Sequence, residues 1–334
     1  EDLKKDKDRF DLIIKKKMPE YTMLKKTCFI FAVLFAAFVS LYAKDAGAKI
    51  EIVTTLFPTY DFAKQIGGEK VNVSLLLPPG VEPHTFEPKP KDIVKINKSD
   101  IFIYTDKYME PWVEDLLKGI PNKNLKIVNS SAGIEFMSEK DEHDEDTEHG
   151  SHHHGGKDPH IWLDLANAQI MTDTIAKALC EKDPANKDFY LQNAEKYKAR
   201  LAALDSRFKE TFAAAKQKTI IYGGHFTFGY FAKRYGLNYE SPYKGFSPNA
   251  EPNPKAIGEL INKLKTSGIK YIYYEELLDP KVARTVSEAT GAKLELLHGA
   301  HNVSKNELKN GITFIDIMNS NLNKLKEGLQ CLQK

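Results

Sequence analysis

From residue 49 onward, apolar positions recur in two alternating rhythms. "KIEIVTTL" (Lys49–Leu56) alternates apolar and polar and is rich in β-branched residues, which predicts a strand. "PTYDFAKQIGG" opens with Pro58 and closes on glycine, the punctuation of a helix. "KVNVSLLLP", "IFIYT" and "LKIVNSS" read as further strands, with "PKDIVKINKSD" and "EPWVEDLLKGI" as helices among them. Strand alternating with helix predicts a parallel sheet carrying helices on its faces.

The rhythm then lengthens. "DLANAQIMTDTIAKALCEKD" is amphipathic and capped by Asp164. From Asp183 to Lys216 no glycine occurs, and no proline after the start. Phe189, Tyr190, Ala194, Tyr197, Leu201, Leu204 and Phe208 recur at helical spacing. A helix of that span is about 45–50 Å long, enough to connect two lobes. Afterwards the alternation resumes, with strands "KTIIYGG", "IKYIYYEE" and "AKLELLH" among helices that end in "TFIDIMNSNLNKLKEGLQCL". "IVTTLFPTYDFAKQIGG" and "IIYGGHFTFGYFAKRYGL" echo each other as strand, turn, aromatics, "FAK" and glycine, which suggests a duplicated unit. The expected architecture is α/β: lobes over 49–182 and 217–334, joined by a long helix over 183–216.

The first 48 residues stand apart. "MLKKTCFIFAVLFAAFVSLYA" has a basic start and an apolar stretch of 16 residues from Cys28, and "AGA" (46–48) follows. That is shorter than the roughly 20 residues of a spanning helix and reads as a cleaved signal peptide. Residues 1–22 read as upstream sequence, with Met23 or Met18 as the start. The residues before Cys28, "KKT", lack a lipoprotein pattern, so no lipid anchor is expected. Without residues 1–48 the chain carries 38 basic and 39 acidic residues, a net charge of −1, which points to no nucleic-acid partner. Export implies an oxidising compartment, where Cys180 and Cys331 either pair or stay as buried thiols.

The candidate chemistry lies in the histidines. His84 sits among five prolines in "LLLPPGVEPHTFEPKP", a stiffened loop after a strand. His160 precedes a capped helix in "KDPHIWLDLANA", and His225 follows two glycines in "IIYGGHFTFGYF". His298 and His301 follow a strand in "LELLHGAHN", one as candidate ligand and the other as neighbour. The carboxyl ends of parallel strands are where open α/β sheets bind ligands. Four neutral imidazoles satisfy a closed tetrahedral zinc site, which favours binding over catalysis.

"GVEPHTFEPKPKD", "DPHIWLDLANA" and "GGHFTFGYFAKRYGL", in this order with a long helix between the last two, resemble the metal-binding solute receptors of zinc and manganese ABC transporters, the cluster A-I binding proteins. The resemblance covers residues 50–332. It implies two (β/α)4-like lobes, each a mostly parallel sheet with flanking helices, joined by one rigid helix with metal at their interface. It implies a non-enzymatic periplasmic monomer that hands its ion to an ABC permease and ATPase complex in the inner membrane. His84, His160, His225 and His298 are the ligands it implies, His298 standing where the family usually has Asp. Glu82 and His301 are the alternative or neighbouring groups. Four imidazoles favour Zn2+ over Mn2+.

Residues 139–154 hold seven acidic residues and His143, His149, His152, His153 and His154. Such a run cannot pack a core and reads as a mobile loop (139–157) that collects metal weakly. Zinc-type members of the resembled family often carry one. Rival functions are weaker. A zinc hydrolase lacks H-E-x-x-H or a nucleophile elbow, an adhesin lacks a stalk or repeats, and an organic-solute receptor needs an aromatic cleft.

Overall fold

Strands β1 (Ile50–Thr54), β2 (Val71–Leu75), β3 (Ile101–Tyr104) and β4 (Lys126–Asn129) form an all-parallel sheet in the order β2-β1-β3-β4. Helices α1 (Phe57–Gly67), α2 (Pro90–Lys98) and α3 (Val113–Lys118) make the crossovers. This computed structural model describes residues 48–138, 156–225, 227–243 and 252–331, with Arg9 and Leu12 besides. The expected signal peptide and the run carrying His143, His149, His152, His153 and His154 lie outside the described residues. Ser138 and Lys157, at either end of that run, pair as an antiparallel bridge.

Helices α4 (Leu165–Lys182) and α5 (Lys187–Ala213) follow the first sheet. In the second half β5 (Thr219–Ile221) pairs in parallel with β6 (Asn238–Glu240), and β7 (Tyr271–Tyr274) with β8 (Lys293–Leu296). A parallel bridge from Tyr222 to Tyr273 joins the pairs. The order is then β6-β5-β7-β8, the strand order of the first sheet repeated. The remaining helices are α6 (Gly229–Tyr235), α7 (Pro254–Ser267), α8 (Lys281–Thr290), α9 (Lys305–Lys309) and α10 (Phe314–Gly328). β6 and α9 are absent from the sequence reading, since three and five residues carry too little periodicity to register.

The long helix starts later than its pattern suggests. Asp183 accepts hydrogen bonds from Asn186 and Tyr190 and holds Pro184–Asn186 as a separate 3-10 turn. The 27 residues of α5 span about 40 Å. Tyr190, Ala194, Tyr197, Leu201, Leu204, Phe208 and Phe212 form its buried stripe. Tyr197 meets Phe62 of α1 with ring centroids 5.6 Å apart, and Phe208 meets Phe231 of α6 at 5.2 Å. One continuous apolar core therefore runs through both halves with α5 as its spine.

Buried polar groups tie that spine down. Asp61 accepts from Tyr197 Oη (3.1 Å) and from the backbone N of Phe314 (2.9 Å), so α1, α5 and α10 share one carboxylate. Arg234 donates twice to Asp205 at 2.7 Å and once to Asp164, the N-cap of α4, at 2.9 Å. Cys180 and Cys331 are free thiols, which decides the pairing left open by their spacing.

Candidate metal centre

His84 lies in the loop between β2 and α2, His160 caps the 3-10 turn Ile161–Leu163 before α4, and His225 and His301 follow β5 and β8, so the fold gathers distant parts of the chain at one place. His84, His160, His225 and His301 each offer a nitrogen, and these four atoms lie within 4.8 Å of one another. The Nε2 atoms of His84 and His160 are 3.3 Å apart, and those of His160 and His225 are 3.4 Å apart. A tetrahedron with metal–nitrogen bonds of about 2.0–2.1 Å has edges of about 3.3–3.4 Å. These two spacings match the edges of a tetrahedral site for an ion of zinc's size, within a set of four nitrogens that is looser overall.

Carboxylates behind the rings decide which nitrogens face inward. His160 Nδ1 donates to Asp158 Oδ1 at 2.7 Å, and the same oxygen accepts the His160 backbone N–H at 2.9 Å. His225 Nδ1 donates to Glu275. His301 Nδ1 donates to Glu276 Oε1 at 2.9 Å. An ionised carboxylate only accepts, so each of these Nδ1 atoms carries the proton and the Nε2 atom keeps the lone pair that an ion would use. His301 Nε2 is buried with no hydrogen-bond partner among the described residues. A buried acceptor without a partner is costly, and a cation among the four nitrogens would satisfy it.

Burial, followed by the charges of His225 and His301, holds the His84 pKa well below the ordinary imidazole value. Burial and the charges of His301, His84 and His225 do the same to His160. Both rings are thus neutral at neutral pH, the form a metal requires. Burial also lowers His301, but Glu276 outweighs it and the net shift is upward.

The loops are preset by backbone bonds. Glu82 accepts from the backbone N of His84 and of Thr85, at 2.9 Å each, and from the Thr85 hydroxyl at the same distance. Its carboxylate is used in shaping the His84 loop, and Glu82 is not among the four converging groups. Asn302 donates to the carbonyls of Pro78 (2.7 Å) and Val81 (2.9 Å), and Gly80 N donates to Val303 O (2.9 Å). These bonds stitch the His301 segment of the second half to the His84 loop of the first. Trp162 Nε1 donates to Gly299 O at 2.8 Å and its ring stands edge-on to His160 and His301.

His298, the expected fourth ligand, is not in the group, and His301 stands there instead. The turn between them explains the exchange. Ala300 adopts a left-handed conformation (φ 59°), and its N–H donates to His298 Nδ1 at 2.9 Å. Asn321 accepts from the His298 backbone N (3.0 Å) and donates to its O (2.8 Å). His298 shapes and anchors the turn that presents His301. Asp158, Glu275, Glu276 and Thr227 were not singled out by the sequence reading. The "YYEE" that ends β7 was the available signal, as paired carboxylates at a strand's ligand-facing end.

The chain is 40% identical over 288 residues to the high-affinity zinc uptake system protein ZnuA of Bacillus subtilis, covering 86% of this chain and 90% of that one. It is 35% identical over 307 residues to the zinc-binding lipoprotein AdcA of Streptococcus pneumoniae serotype 4, covering 91% of this chain but only 61% of that longer protein. Its structure is similar to the Zn(II)-bound ZnuA-like domain of Streptococcus pneumoniae AdcA, with a TM-score of 0.70 and 33% identity over 84% of this chain and 99% of that domain. The family profile described as zinc-uptake complex component A, periplasmic, matches residues 52–328, which include all four converging histidines and the turn made by His298. With a match of that extent and relatives this similar, the chain belongs to the periplasmic zinc-uptake component A family.

Proposed function

We propose that this chain is an extracytoplasmic receptor that captures Zn2+ between its two halves and hands it to an ABC permease and ATPase complex for import. The observation that carries this reading is the ring of four imidazoles, three with Nδ1 tied to a carboxylate and two adjoining nitrogen–nitrogen spacings at tetrahedral values. His84, His160, His225 and His301 are the proposed ligands. An all-imidazole shell favours zinc over manganese, which prefers oxygen donors. Four protein ligands leave no open position for an activated water, so the site suits capture rather than hydrolysis. Family membership and the names of the zinc-binding relatives support the same reading. We take the working form to be an exported monomer. Calorimetric titration of the metal-stripped chain tests the proposal. One tight Zn2+ per chain, not displaced by excess Mn2+, is expected; absence of tight zinc, or preference for Mn2+, overturns it.

A further inference from the structure

A buried hydroxyl touches the inward nitrogen of His225. Thr227 Oγ1 lies 3.0 Å from His225 Nε2, the atom that faces the other imidazoles. The same hydroxyl lies 3.2 Å from the His225 carbonyl oxygen. Thr227 is fully buried, so water does not compete for its proton. With Nδ1–H given to Glu275, Nε2 is an acceptor, and the Thr227 O–H is a donor within reach of it.

A hydroxyl has one proton and here has two acceptors. Without an ion, donation to Nε2 satisfies a buried lone pair. With an ion on Nε2, that lone pair is spent, and the O–H turns to the His225 carbonyl. Both oxygen–acceptor distances exist in the one structure, so the exchange needs rotation about the Cβ–Oγ1 bond and a small shift of Oγ1 off the ion's line of approach to Nε2. The carbonyl is also held by Tyr239 Oη at 3.2 Å, so it is never left bare. Glu275, Tyr239 and the tight Gly224 turn fix His225 in place while the hydroxyl moves.

We propose that Thr227 is a hydroxyl latch that competes with the bound ion for His225 Nε2 and thereby sets how readily the ion is released. Thr227 acts through His225 and is a positioning residue. The inference rests on the zinc-receptor reading above. It predicts the opposite of ordinary damage: removing the hydroxyl strengthens binding, because the ion-free site is left with a buried Nε2 lone pair lacking its donor, whereas in the ion-bound site the carbonyl that loses the hydroxyl keeps Tyr239.

The experiment compares zinc affinity and zinc release to a chelator for the full chain, T227V and T227S. Stranding one buried acceptor in the ion-free state, against a carbonyl that keeps a second donor in the ion-bound state, corresponds to about fivefold tighter binding in T227V. Slower release by a similar factor is expected, with T227S behaving as the parent because it keeps the hydroxyl. Unchanged or weaker zinc binding by T227V, or T227S behaving as T227V does, overturns the latch. Failure of the unsubstituted chain to bind zinc tightly overturns the receptor reading and the latch with it. If T227V does not fold, the 15N resonance of His225 Nε2 in the zinc-free parent supplies the answer. A hydrogen-bonded acceptor nitrogen supports the latch, and the shift of an unbonded one refutes it.

Discussion

Glu276→Gln removes one charge and one acceptor from beneath the His301 turn while keeping the side chain's shape. In the parent, Oε2 accepts from Gly299 N at 2.7 Å, and Oε1 accepts from His301 Nδ1 at 2.9 Å and His301 N at 3.2 Å. The glutamine oxygen can serve one side only, and its NH2 then faces an N–H with nothing to accept it. Glu276 is nearly inaccessible, so water cannot repair the loss. Losing one charge-assisted bond in this setting costs about 2 kcal/mol of stability. Zinc affinity should fall about 10–100-fold, since His301 loses the partner that fixes its tautomer. The pH window follows from both partners. Burial alone raises Glu276, but the neighbouring His298 and the bonds from His301 and Gly299 outweigh it, so its pKa stands well below the usual carboxylate value. That stability is present above the unfolded carboxylate pKa of about 4.3 and is lost as pH falls through the folded one. The His301 pKa is raised, so its share is full below about 6.5 and is lost as pH rises through the folded value. The cost of E276Q should therefore be greatest from about pH 4.5 to 6.5. Thermal melts across pH and zinc titrations at pH 7 read both quantities. Zinc affinity within twofold of the parent, with an unchanged melt at pH 5.5, would refute the role given to Glu276.

Three further outcomes are expected. A Cβ at Gly224 would lie 2.7 Å from Glu275 Oε1 and 2.8 Å from the Tyr222 ring, so Gly224→Ala should displace the Glu275–His225 pair. It should weaken zinc about tenfold without unfolding the chain; unaltered affinity in a calorimeter contradicts that. Despite burial, hydrogen bonds from Arg234, Lys209 and Tyr235 bring the Asp205 pKa down to about 2. Arg234→Met breaks that pair and the tie to Asp164, which should cost about 2 kcal/mol and lower Tm by about 4–8 °C, with zinc affinity at pH 7 little changed. A melt within a degree of the parent would rule out the tie as a stabilising element. Zinc competes with protons first at His301, whose pKa is raised, and only at lower pH at His84 and His160, whose values are depressed. Affinity should decline by about one decade per pH unit below the His301 value and more steeply well below 6.5. A flat profile from pH 8 to 5.5 is the contrary result.

The alternation of strand and helix was readable in the chain because each parallel strand is a short β-branched run and each helix has its own stop. The α5 stripe was readable for the same reason, since Tyr190 through Phe208 repeat every three or four residues. Its true start was not, because Asp183 makes bonds that only the folded turn brings within reach. Three of the four converging histidines sit in motifs with strong local punctuation: prolines at His84, "DPH" at His160 and paired glycines at His225. The choice between His298 and His301 depended on Ala300. A left-handed alanine reverses the chain and exchanges which ring faces the centre, and no spacing rule foretells a positive φ at a non-glycine residue. The carboxylates behind the rings were equally hidden, because Glu275 and Glu276 meet His225 and His301 only through the packing of β7 beside β5 and β8.

The first measurement to make is zinc titration of the metal-stripped chain beside His301→Ala and His298→Ala. One tight zinc per parent chain is expected, weakened at least tenfold by H301A and left within a few-fold of the parent by H298A. Tight zinc that survives H301A but is lost in H298A, or no tight zinc in the parent, would contradict a site built from His84, His160, His225 and His301.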